Sequence, residues 1–262
     1  MIPEVWRRDK PLAATGGLMF VALIVVLFIA PFDERTLLGL NVWVKPVKFL
    51  ASVGVFVWTL AWFMPYVAWP AWLRGIVSWG VSGAMILENS LHVMHAARGV
   101  PSHLNFETAL DARIFQAMGN TIGVNTAYLA SFALMLFARP SEWPRPPYLW
   151  AFRIGVLLLL AGSLEGMLMI SNGAHAVGLP DGGPGLRFVN FSTEGGDLRV
   201  AHLLGLHGFQ VLPLFALWVR RRSPELDDAG QTRIVLGFGV FYILVTALLF
   251  SQAMAGRPVL PV

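Results

Sequence analysis

Seven stretches of about 20 or more residues, nearly free of charge, recur at roughly 12–31, 47–66, 75–97, 112–138, 148–171, 198–219 and 232–254. No other feature restricts the fold as much. About 20 apolar residues in a helix cross some 30 Å of hydrocarbon, and there every backbone N–H and C=O must find its partner inside the protein. The expected fold is an all-α, polytopic transmembrane helix bundle of about seven helices, forming a single transmembrane helical domain over residues 1–262. Composition agrees. Of the 262 residues 56% are hydrophobic and 13% charged, against about 25% charged in soluble domains. A soluble enzyme, a disordered chain and a nucleic-acid-binding module all fit poorly. With Cys 0, disulfides, thiolate metal sites and cysteine nucleophiles drop out.

The net charge of +4 reads as topology, because the Lys and Arg residues sit mostly in short runs between apolar stretches. The N-terminal run from Leu12 to Ala30 follows Arg7, Arg8 and Lys10, but it exceeds a signal-peptide core and lacks a small-x-small cleavage site, so it reads as a retained helix. With the N-terminus inside, the inner segments hold more basic residues than the outer ones, most sharply at Arg220–Arg222. Trp6, Trp62, Trp69, Trp72, Trp143, Trp150 and Trp218 then fall near inner ends, as an aromatic belt does. The expectation is N-in, C-out. Outer basic residues, Arg187 among them, are interleaved with acids such as Asp33, Asp111, Asp181 and Asp197, a mixed-charge layer suited to capping the bundle. Gly162 and Gly166 form a G-x-x-x-G step, and Gly80 with Gly83 thins the third helix for close packing. The longest connection, the outer loop at about 172–197, is rich in glycine, yet no Gly-Lys-Ser/Thr follows to make it a phosphate loop.

Polar residues are unevenly placed. All 6 histidines, His92, His95, His103, His175, His202 and His207, fall at or just below the expected outer surface. Glu88 and Glu165 are acids inside spans, where a charge costs about 2.5–3.5 kcal/mol and so usually has a partner. At 100° per residue Glu88, His92 and His95 lie within about 60° of one another. Imidazole and carboxylate from facing helices suit transition metals. Glu88, His92 and His95 would supply one side of such a site, and His202 and His207 the other. Glu165, Gln210, His103, Asp197, Arg199 and Lys45 would support it or meet a substrate. Haem b held by His95 with His202 or His207 is the second arrangement. The plain alternative is that such groups serve as interhelical hydrogen-bond partners, worth about 0.6 kcal/mol each. Lys45 and Lys48, beside Pro46, would hold an anionic head group or simply snorkel to the interface.

Three segments, Asn41-x-Trp43-x-Lys45-Pro46-x-Lys48-Phe49, Arg98-Gly99-x-x-Ser102-His103-x-Asn105 and Gly195-Gly196-Asp197-Leu198-Arg199-x-Ala201-His202-x-x-Gly205-Leu206-His207-x-x-Gln210, resemble uncharacterised bacterial polytopic membrane proteins. The resemblance spans most of the chain in order. It implies a bacterial inner (plasma) membrane location and no established activity. It also implies other residues at the positions of His92 and His95, which moves weight to His103, His202, His207 and Glu88.

Four functions fit these residues. The leading one is a membrane oxidoreductase or electron carrier holding iron, zinc, copper or haem, with a lipid or quinone-like apolar substrate in the bilayer. A proton-coupled transporter or channel would use Glu88 and Glu165, although inner halves such as Val156–Leu160 are nearly all apolar. A zinc-dependent intramembrane hydrolase or lipid-modifying enzyme would draw on the same histidines with Ser90, Ser102 or Ser171. The last is a structural or pigment-holding subunit of a larger membrane complex.

Overall fold

The computed structural model describes residues 2–141, 144–186 and 189–260. Trp143 and Arg187, which entered the reading of belt and charge, lie outside the described residues. The helices are α1 (Ile2–Arg8), α2 (Lys10–Ile29), α3 (Val44–Phe63), α4 (Ala71–Arg98), α5 (Ala109–Ala138), α6 (Pro146–Asn172), α7 (Arg199–Arg222) and α8 (Asp228–Met254). The fold is all-α. The seven long helices match the seven apolar stretches, and α1 is an additional short one. Two minimal antiparallel pairs lie in loops: β1 (Thr36–Leu37) with β2 (Leu40–Asn41), and β3 (Ala176–Val177) with β4 (Gly196–Asp197).

Among the described residues six helices are long and apolar enough to cross a membrane, namely α2, α3, α5, α6, α7 and α8. At 28 residues α4 has the length but not the apolarity. Its buried face explains why: Ser78, Ser82, Glu88, Asn89, His92 and His95 are all buried, while Trp72, Ile76, Trp79 and Leu87 are exposed. Polar inside and apolar outside is the reverse of a soluble surface helix.

The chain condenses into two compact units, Met1–Phe132 and Ala133–Val262, with the division inside α5. In the first, α2 and α3 pack closely where Gly16 meets the Trp58 indole and Gly54 meets Phe20. Trp58 Nε1 donates to the Ala13 carbonyl at 3.0 Å. Asp9 caps α2, accepting from the Leu12 amide at 3.3 Å, and also takes the Ser78 hydroxyl of α4. At the far end of α2 the chain turns through the β1–β2 hairpin. Asn41 Nδ2 donates to the carbonyls of Ala30 and Asp33, and Trp43 Nε1 donates to Asp33 Oδ2 at 2.8 Å. The Arg35 guanidinium beside Asp33 holds that carboxyl well below the usual carboxylate range. The Asn41-x-Trp43 segment is thus a brace for the hairpin, one that leads into α3 with Lys45 in its first turn.

In the second unit α6, α7 and α8 form the core. The α6–α7 crossing is built on glycine: a Cβ at Gly162 would fall 2.8 Å from the Leu206 amide nitrogen, and one at Gly205 would fall 2.9 Å from the Gly162 Cα. Of the expected G-x-x-x-G pair, Gly162 makes the backbone approach, while Gly166 makes room for the His202 ring. Tyr242 of α8 donates its hydroxyl to the Leu204 carbonyl at 2.8 Å, and Phe215 stacks on Phe238 at 3.9 Å.

Candidate metal centre

The first unit gathers its polar groups around the last three turns of α4. Helix α4 ends where Gly99 takes φ 72°, a left-handed conformation that costs glycine little. The Gly99 amide donates to the Ala96 carbonyl and the Val100 amide to the His95 carbonyl. That reversal sends residues 100–107 back over the helix end. Asn105 holds the loop by donating to the Pro101 carbonyl at 3.0 Å. Thr108 precedes the next helix, α5, and its hydroxyl accepts from the Asp111 amide and donates to the Asp111 carboxylate.

This fold-back brings Glu88, His92 and His103 together. One ligand-capable atom from each lies within 4.8 Å of the others. His92 Nε2 stands 3.5 Å from Glu88 Oε1. The Ser102 hydroxyl lies 3.1 Å from His92 Nδ1 and 3.3 Å from His103 Nδ1, so a single oxygen orients both rings. The rings stack with centroids 5.0 Å apart and planes 12° apart. Phe49 of α3 packs on His92 at 3.8 Å, and Phe115 of α5 lies 5.7 Å from His103. Glu88 and His92 are each 2% exposed, yet Glu88 Oε2 and His92 Nε2 have no hydrogen-bond partner. Buried polar atoms are satisfied in the great majority of cases, so two such atoms side by side single this group out among the buried polar residues of α4. Lys45 Nζ lies 5.8 Å from the Phe49 ring.

His95 shares the buried face but faces a different group. Its Nδ1 donates to the Leu91 carbonyl at 2.7 Å, and its Nε2 is 3.9 Å from Asp111 Oδ1. Arg98 pairs with the same Asp111 oxygen at 2.5 Å. His103, expected to support the site, therefore stands in the ligand group, while His95 stands beside an ion pair. Ser102, read from the sequence as a serine acting beside a histidine, lies against both rings, whereas the packing of Phe49 on His92 was missed. The available signal was Gly99 at the end of α4, a residue that turns a chain back on its helix.

The other expected residues belong to the second unit. His202 donates Nδ1 to the Gly162 carbonyl at 2.7 Å, which closes the α6–α7 crossing. His207 lies further along α7. Glu165 Oε1 and Gln210 Oε1 are buried without a partner. Asp197 and Arg199 form a two-pronged ion pair at 2.9 and 2.5 Å, and Asp197 also accepts the Ser192 and Arg199 amides. That pair straps the long loop to the start of α7. His175 donates to Asp181 at 2.5 Å. Burial pushes the Asp181 carboxyl up, but the His175 side chain and the amides of residues 175 and 176 outweigh it and hold the group at about 2. A carboxyl held low contributes stability above its unfolded value, and that contribution is lost as pH falls through the folded one. The protection of residues 173–186 against hydrogen exchange, taken relative to the intrinsic rates at each pH, is therefore expected to fall as pH drops from about 4 to about 2. Asp181→Asn should show the lower protection already at neutral pH.

Compared with known protein families, curated proteins and solved structures, the chain matches none.

Proposed function

We propose that this multi-pass membrane protein holds a transition-metal ion between Glu88, His92 and His103 and uses it for oxidation–reduction. The observation that carries this reading is the group itself: three donors within 4.8 Å of one another, with unpartnered atoms on Glu88 and His92. Two imidazoles and one carboxylate with open positions are the donor set of non-haem iron(II) centres, and the same set serves catalytic zinc. Donors about 2.1 Å from a tetrahedral ion lie about 3.4 Å apart, so Glu88 and His92 at 3.5 Å already fit and binding draws His103 inward by about an ångström. Ser102, accepting from both Nδ1–H groups, leaves each Nε2 as the ligand atom and is the outer partner that bound histidines usually have. The stacked rings joined at one edge by Ser102 suit a single ion better than the opposite faces of a haem. A lipid- or quinone-like electron donor is the substrate class that suits a redox centre in a membrane protein. If the N-terminus is cytoplasmic, the centre lies toward the outer face of a bacterial inner membrane, with α4 as a seventh span.

The test is elemental analysis with optical and electron paramagnetic resonance spectra of detergent-purified protein. We expect about one iron, copper or zinc ion per chain and no Soret band. Metal well below one equivalent after incubation with each ion in turn would sink the reading. Zinc alone, without a redox-active ion, would shift it to hydrolysis.

A further inference from the structure

The buried polar face of α4 continues well beyond the proposed metal centre. It begins at Ser78, hydrogen-bonded to Asp9, and proceeds through Ser82 and Asn89 to Glu88, His92 and His95. Each of these side chains is at least nine-tenths buried. Ser82 Oγ, Asn89 Oδ1, Glu88 Oε2, His92 Nε2 and His95 Nε2 all lack a hydrogen-bond partner. Asn125 of α5 adds a sixth such atom, its Oδ1, and is 6% exposed. Tyr128 of α5 packs on Gly80 of α4. Asn125, about one turn before Tyr128 on α5, lies near the depth of Gly83.

The face is closed at both ends in the same way. At one end Asp9, 6% exposed, faces Arg74 Nη2 at 3.6 Å; at the other Asp111, 2% exposed, pairs with Arg98 at 2.5 Å. Both arginine side chains are 35% exposed, so each buried carboxylate sits beside a group that reaches the surface. From Arg74 to Arg98 is 24 residues of helix, about 36 Å at 1.5 Å per residue, comparable to the thickness of a bilayer core. Between Ser82 and the Glu88–Asn89 level the helix rises about 10 Å, a gap that two or three waters span.

We infer that the interior of the first unit holds a file of water along α4, running from the Asp9–Arg74 pair to the Asp111–Arg98 pair, and that it conducts protons. Unpartnered buried amide and hydroxyl oxygens spaced along one face are the partners that such waters need. Polar chains of this kind inside membrane helices mark ion and proton pathways. A proton enters the file at one end, each water passes one on, and one leaves at the other end, with nothing oxidised or reduced. This goes beyond the metal reading and does not require it, although the file passes the Glu88 site.

Reconstitution into liposomes carrying an internal pH dye, with potassium and valinomycin clamping the potential, tests the idea. Wild-type vesicles should relax a pH step at least tenfold faster than empty vesicles. Ser82→Leu and Asn125→Leu, each of which fills the file with an apolar side chain, should bring the rate close to that of empty vesicles, while Ser82→Thr keeps it high. Wild-type vesicles no faster than empty ones would overturn the inference without any variant being needed. So would a leucine variant that elutes as a single species and still conducts like wild type. Metal content measured on the same samples separates the two readings: a low flux with metal retained removes the file alone, and a high flux without metal removes the centre alone.

Discussion

Changing His103 to alanine is expected to lower the affinity of the proposed centre for its ion by about 100-fold or more, and Glu88→Gln should do the same. Loss of an outer hydrogen-bond partner of a ligand typically costs 10–100-fold in metal affinity, and removal of a donor exceeds that. Ser102→Ala should therefore fall inside the 10–100-fold range, because both imidazoles lose the oxygen 3.1 and 3.3 Å from their Nδ1 atoms. His95→Ala separates this arrangement from one built on the whole α4 face. With Nδ1 on the Leu91 carbonyl and Nε2 beside Asp111, His95 should leave the metal content unchanged. His202→Ala should also leave it unchanged, since that ring closes a helix crossing in the other unit. The measurement is competition with a chromophoric chelator on detergent-purified variants. A His103→Ala protein that binds as tightly as wild type would remove the proposed centre.

The difference between what was readable and what was not lies in periodicity. Apolar runs of about 20 residues place all seven long helices within a few residues, because in lipid the backbone leaves no competing local structure. Helical angles likewise place Glu88, His92 and His95 on one buried face of α4, as observed. The same arithmetic cannot tell which of two neighbouring rings turns toward a partner. His95 is only about 20° from Glu88 on a helical wheel, yet the Leu91 carbonyl fixes its ring toward Asp111. His103 reaches the site through a loop that has no period at all. Its position follows from the left-handed Gly99, the Asn105 hold on Pro101 and the Thr108 side chain before α5, three local contacts that no periodicity reports. Asp197 and Arg199 stand in the mixed-charge outer layer that the sequence reads as capping the bundle, and their geometry is that of an ion pair fastening a loop.

In the second unit, adding one methyl group should have opposite effects at two glycines in long helices. Gly162→Ala places its Cβ 2.8 Å from the Leu206 nitrogen and 3.1 Å from the Gly205 carbonyl carbon and the His202 carbonyl oxygen. All three are backbone atoms, so no side chain can swing away, and α6 and α7 must separate. Separation also lengthens the His202–Gly162 hydrogen bond, now 2.7 Å. Overpacking of this kind costs about 1–3 kcal/mol. For a chain of this size that is a fall of roughly 3–10 °C in apparent Tm. Gly237, in the interior of α8, has nothing within 4 Å of the added carbon. There the substitution only removes the backbone freedom of glycine, and Gly237→Ala should raise stability by about 0.5–1 kcal/mol. Thermal unfolding of the two variants in one detergent compares the same chemical change at a helix contact and at an open helix face. Equal shifts of the same sign would mean that propensity, and not the close approach of α6 to α7, sets the stability of this unit.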